Sequence, residues 1–170
     1  MLGFSRTALA ALLLGLLSVG CSGETRRSAA ESFRQAVNPP ELPPDTIPEQ
    51  LDYAADLQVD LSEMAKLPEG VLYRDVRAGE GVVVGPGDSV EIRYRGWLPN
   101  GTLVDSAAIG VRIGAGDVLP GLDAGLPGMK VGGVRKLVLS PGLGFGGEGA
   151  YGIPPASVLV YDLELLARVP

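Results

Sequence analysis

The chain has 170 residues, 46% of them hydrophobic and 20% charged, with a formal net charge of −6 at pH 7, which is room for one domain plus extensions. That acidic balance, with no cluster of Lys and Arg, argues against nucleic acid, whose phosphates demand cations. Histidine is absent and Cys21 is the single cysteine, which excludes a His-dependent nucleophile, a His-ligated metal and an internal disulfide. Arg6 precedes an apolar run from Ala8 to Val19 and then Gly20 and Cys21, the plan of a bacterial export signal over residues 1–20. The run is too short to cross a hydrocarbon core of about 30 Å as a helix.

Ser18 and Gly20 before a lone cysteine resemble the lipobox of bacterial lipoproteins, in which that cysteine is lipidated; Leu17 stands four residues before Cys21, where three is preferred. The alternative is ordinary signal cleavage that leaves a free thiol. Ala29, Ala30, Phe33, Ala36 and Val37 share one helical face, either against a surface or in a mostly solvated tether. Asn38 to Gln50 holds five prolines and reads as a semi-rigid spacer. At about 3.1 Å per residue its reach is roughly 40 Å. Residues 21–50 are therefore expected to form a tether, and 51–69 a flank in which the alternation of Leu57, Val59 and Leu61 predicts an added edge strand, with one helical turn within Leu61 to Leu67.

The domain proper is expected over residues 70–169. Val71 to Arg77 reads as a strand ending in a Gly-rich turn. Ser89 to Trp97 alternates, with Val90, Ile92, Tyr94 and Gly96 on one face and Arg93, Arg95 and Trp97 on the other. Asn100-Gly101 is the strongest hairpin signal and joins that strand to the segment beginning at Thr102. Arg112 falls between Val111 and Ile113, again one in and one out. Gly133 to Ser140 is a strand whose face alternation does not assign, and Val158 to Leu166 is apolar enough to be central. Between them Leu119, Leu122 and Leu126 recur at helical spacing behind Pro120, and Gly125, Pro127 and Gly128 stop the helix. So short a helix needs a larger apolar surface to rest on. The fold class expected is α+β: a twisted antiparallel sheet around one short helix, with Val118 and Leu119 at the floor of a pocket.

From Gly70 to Leu166, 97 of 170 residues, the motifs V-E-I-R-Y-R-G-W, N-G-T-L-V-D-S, V-L-P-G-L-D-A-G-L-P-G-M-K-V-G, L-S-P-G-L-G-F-G, I-P-P-A-S and L-V-Y-D-L-E-L-L follow one another in the order and spacing of a known family. The chain resembles the FKBP-type peptidyl-prolyl isomerases, and V-D-L-S-E-M behind a Pro-rich tether looks like their exported bacterial members. The resemblance implies five or six strands wrapped round the helix, with a proline-binding cavity between them. Tyr94, Asp105, Phe145 and Ile153 would then be the catalytic set, and Val104, Val118, Leu119, Leu122 and Tyr161 the substrate pocket. The Ile153 backbone N–H would hold a substrate carbonyl. Tyr94 and Asp105 are hard to explain as filler, because a buried carboxylate is costly unless a donor such as the Tyr94 hydroxyl satisfies it.

Rotation about an X-Pro amide needs no nucleophile, cofactor or metal, only an apolar cavity that binds the twisted bond more tightly than either planar form. The implied partners are X-Pro-containing, unfolded or exported polypeptides and a membrane reached through the lipid anchor on Cys21, with the domain monomeric and facing the periplasm. Four departures from the family pattern bear on activity. Val104 stands where phenylalanine is usual, Leu122 where tryptophan forms the floor, and Phe145 where tyrosine is typical. The stretch Asp105 to Gly114 is also short, leaving open whether Ile109 reaches the wall usually built by another aromatic. The competing function is a weakly catalytic or inactive binding module on the same scaffold.

Overall fold

Strand alternation and one Pro-initiated helix organise the computed structural model, which describes residues 47–150 and 152–170. The expected export signal, the lipidation of Cys21, the helical stretch after it, most of the tether, and Tyr151 lie outside the described residues. Six strands form one antiparallel sheet: β1 (Ala65–Lys66), β2 (Leu72–Arg77), β3 (Ser89–Trp97), β4 (Leu103–Arg112), β5 (Val134–Leu139) and β6 (Leu159–Val169), in the order β1-β2-β5-β6-β3-β4. The last strand is therefore interior, between β5 and β3, as its apolar sequence predicts. At the β3–β4 turn Gly101 has φ +87°, and the Thr102 N–H donates to Asn100 Oδ1 at 3.0 Å, the local bond that makes Asn-Gly a turn former.

The helix α1 (Pro120–Gly125) begins at the proline that the sequence marks. It lies against β5: a Cβ on Gly121 would come within 2.5 Å of Leu139 Cδ2, and one on Gly125 within 2.7 Å of Leu137 Cδ1. Leu122 and Leu126 pack into one core with Val90, Ile92, Val111, Leu137, Leu139, Leu159, Tyr161, Leu163 and Leu165. The C-terminal carbonyls of so short a helix need donors. Arg135, 5% exposed, supplies them: Nη1 donates to the Gly125 carbonyl at 2.9 Å and to that of Pro127 at 3.2 Å. Its Nε donates to Asp75 Oδ1 at 2.6 Å and its guanidinium lies 4.7 Å from the Tyr73 ring centroid, so a cation stands at the negative end of the helix.

The other face of the sheet carries a second core of Leu72, Val138, Val158 and Val160 with Leu57 from the flank. Here the structure corrects the sequence. Leu57, Val59 and Leu61 do not alternate along a strand; Ala55–Leu57 and Leu61–Glu63 are single 3-10 turns separated by Gln58 at φ +50°. The added strand lies just beyond, as β1 on β2. The flank is held by the Ala54 N–H donating to the Pro99 carbonyl at 2.8 Å and by Arg74, which pairs with Glu63 and donates to the Gln58 carbonyl at 3.2 Å. Because β5 is covered on both sides, alternation could not assign its faces: Arg135 and Lys136 are adjacent and both 5% exposed.

Candidate functional site

One row across the sheet fixes the chemistry. Gly96 on β3 is registered with Asp105 on β4 and with Tyr161 on β6. Since Gly96 has no side chain, the Tyr161 ring lies over it; a Cβ there would stand 2.4 Å from Cε1 and 2.6 Å from Cζ. The ring is thereby laid toward Asp105. Two residues back on the same face of β3, Tyr94 meets Tyr161 edge-on, with ring centroids 5.8 Å apart and planes at 65°.

The predicted residues gather around that row. Leu122, Ile153 and Tyr161 belong to the buried core, and Tyr94, Val104, Val118, Leu119 and Phe145 pack against it half-exposed. Leu119 is the N-cap residue of α1, and the loop before it is tied down by two aspartates: Asp117 Oδ2 accepts from the Arg112 N–H at 2.9 Å and Asp123 Oδ1 from the Gly114 N–H at 2.7 Å. Phe145 follows the 3-10 turn Pro141–Leu143, whose Pro141 carbonyl accepts from the Gly146 N–H at 2.8 Å.

Two expectations change, and the question left open at Ile109 is answered. Asp105 is half-buried rather than buried, so water shares in its solvation. The short stretch after it is continuous strand paired residue by residue with β3; Ile109, 37% exposed, stays out of the core and Val111 takes the inward place. The Ile153 N–H, expected to hold a substrate carbonyl, already donates to the Ala150 carbonyl at 2.8 Å.

Burial, the charge of Asp105 and the pull of that carboxylate on its proton together raise the Tyr94 hydroxyl above its ordinary value. Burial, then the charge of Asp105 and the neighbouring Tyr94, raise Tyr161 well above its own. Both therefore remain protonated at neutral pH. Among the described residues the Tyr161 hydroxyl is also the one buried side-chain oxygen or nitrogen with no hydrogen-bond partner. Sequence reading named Tyr161 and missed its hydroxyl; the available signal was Gly96, a mid-strand glycine that marks close approach by another group.

Two open hollows border this cluster. One of about 650 Å³ flanks the start of α1, lined by Ile113, Gly114, Val118, Pro120, Ala124 and Pro127 among others, and shares only Val118 with the predicted set. Another, of about 420 Å³, is lined by Tyr94 of the predicted set together with Arg77, Arg93, Arg95, Asp162 and Glu164. Among the described residues no group of acidic or cysteine side chains is placed to hold a metal ion.

Residues 81–166 match the family model described as FKBP-type peptidyl-prolyl cis-trans isomerase. The chain is 39% identical to the FK506-binding protein of Neisseria meningitidis serogroup B over 57% of its own length and 94% of that protein's. It is 43% identical to FK506-binding protein 4 of Chaetomium thermophilum over 59% of its length, but spans only 22% of that relative. The crystal structure of FkpA from Escherichia coli superposes with a TM-score of 0.58 at 30% identity, covering 86% of this chain and 68% of that one.

Proposed function

The chain belongs to the FKBP-type peptidyl-prolyl cis-trans isomerase family, and from that premise we propose that it catalyses X-Pro isomerisation in the pocket bounded by Tyr94, Asp105, Leu122, Phe145, Ile153 and Tyr161. The observation that carries the reading is the convergence of these side chains, from three strands, the helix and the β5–β6 connection, on one apolar cluster with a single carboxylate at its edge. The uncatalysed barrier of about 18–20 kcal/mol arises because amide resonance is lost as the bond twists. Out of water that loss is smaller, since no solvent dipoles are organised around the planar carbonyl. A cluster that accepts the proline ring and fits the twisted amide better than either planar form lowers the barrier without covalent chemistry.

The test is a protease-free isomerisation assay on the full-length chain in detergent, with a peptide series that varies the residue before proline, with and without FK506. Turnover that FK506 abolishes is the expected result; a folded protein that leaves the isomerisation rate at background would sink the reading. A second reading is a non-catalytic module that holds proline-containing segments. It draws support from the engaged Ile153 N–H and from Ile109 standing outside the core.

We further propose that the chain is exported and lipid-anchored through Cys21, acts on unfolded exported polypeptides, and works as a monomer facing the periplasm. Its support is the sequence from Arg6 to Cys21. Mass spectrometry of the membrane fraction should find a diacylated N-terminal Cys21, and Cys21→Ser should release the protein to the soluble fraction; an unmodified thiol would end this proposal.

A further inference from the structure

We propose that the Tyr161 hydroxyl is the donor that receives the carbonyl of the residue preceding proline when an X-Pro segment occupies the pocket, and so sets a preference for acyl-proline ligands. The inference rests on the isomerase-family pocket, in which the resemblance places Tyr161, and assigns a role to its hydroxyl that the resemblance does not.

The argument is one of donors. Around an X-Pro bond the ligand offers no N–H, because proline lacks one, and the strongest polar group beside the ring is the preceding carbonyl, an acceptor. The pocket must therefore answer with a donor. Asp105 is acceptor-only when ionised, and the Tyr94 hydroxyl is drawn to that carboxylate. The Ile153 N–H is spent on the Ala150 carbonyl. Beside the Leu119 N–H, which makes no backbone hydrogen bond among the described residues, Tyr161 remains as the side-chain donor, fully buried in its ring and with an unspent hydroxyl over Gly96. An unpartnered buried hydroxyl opposes folding, and phenylalanine would keep the ring packing without it. Retention of the oxygen is explained if a ligand completes its bonding. Tyr94, Val104 and Phe145, packed against the same core, are only half-buried, and a ligand that reaches the hydroxyl would have to displace side chains of this kind.

The experiment uses the full-length protein, the Tyr161→Phe variant, and two probes: a short peptide with an internal Ala-Pro bond and its thioxo counterpart, whose sulfur is a weak acceptor. Binding is followed by NMR titration, turnover by the isomerisation assay and folding by thermal melting. Tyr161→Phe should weaken oxo-peptide binding about 5-fold, with turnover reduced and the melting temperature held or raised. For the thioxo peptide the two proteins should bind alike. Equal oxo-peptide binding by both proteins, or an equal loss on both peptides, overturns the inference while an active wild type keeps the isomerase reading. Absent turnover with Tyr161-dependent binding reverses that outcome, and absence of both turnover and binding ends both. Should the variant not fold, the unaltered protein carries the test: it should bind the oxo peptide about 5-fold tighter than the thioxo peptide, and equal affinities overturn the proposal.

Discussion

The two faces of this sheet are closed in different ways. On the outer face the polar groups are answered by neighbours: Lys136 pairs with Asp162 and stands 6.0 Å from the Trp97 ring, Arg95 lies 5.6 Å from the same ring, and Glu164 accepts from both Arg77 and Arg93. The flank seals the rest, with Tyr53 donating to the Pro48 carbonyl at 2.8 Å. On the inner face a six-residue helix covers only part of the surface, and the Tyr161 hydroxyl is left unanswered there. Satisfied polar groups give rigidity, whereas an unsatisfied one keeps bonding capacity in reserve for a ligand. The face that keeps an unanswered hydroxyl is the one suited to the proposed binding.

That contrast can be broken at its strongest point by Leu122→Ala, which removes the helix's main contribution to the inner core. It should cost about 3–4 kcal/mol in urea unfolding and abolish turnover, since the core side chain is also the floor of the proposed pocket. Leu57→Ala, 4% exposed on the outer face, should cost about 2–3 kcal/mol and leave turnover per folded molecule unchanged. A fall in turnover from that change would mean that the faces are coupled. Gly96→Ala forces the Tyr161 ring aside and should cost about 1–3 kcal/mol while also weakening proline-peptide binding. An unaltered melting temperature there would remove the close approach from the account.

The smallest effect falls alike on one buried tyrosine from each face. Burial raises Tyr53 on the flank and Tyr161 on the inner face above their ordinary 10.0, with the nearby charges of Glu49 and Asp105 adding to it. A raised folded value means that the protonated form favours folding. The stability this contributes is whole below the ordinary value and is lost as pH rises through the folded one. Melting temperature should therefore decline above pH 10.0, and the decline should be shallower in Tyr161→Phe and in Tyr53→Phe. A slope identical to wild type in both would refute the linkage.

Much of this was legible in the chain because its signals were local. Alternation along Ser89 to Trp97 gave the correct inward set, and Pro120 marked the first helical residue. Alternation misled at Leu57, Val59 and Leu61, where a left-handed Gln58 between two 3-10 turns keeps some of the same side chains directed at the sheet without any strand pairing. It was silent on β5, since a strand covered on both faces buries consecutive cations once each has a partner. Arg135 as the cap of α1 depends on contacts with Asp75, 60 residues away, and no window of sequence contains it. The site residues were named by resemblance to a family. The standing of their polar atoms, with the Ile153 N–H engaged and the Tyr161 hydroxyl unspent, follows from register and loop closure that only the folded chain specifies.

The position of β6 has a consequence for how the molecule comes into being. The strand that the chain reaches last, Leu159–Val169, lies between β5 and β3 and joins the β1-β2-β5 half of the sheet to the β3-β4 hairpin. Until it arrives, two strand edges are open and the larger core lacks Leu159, Tyr161, Leu163 and Leu165. A chain growing from its N-terminus can form the local β3–β4 hairpin early, but such non-local pairing is slow and leaves the sheet exposed to wrong partners in the interval. Closure of the fold and completion of the proposed binding face, through Tyr161, are thus one late event in the life of the nascent chain.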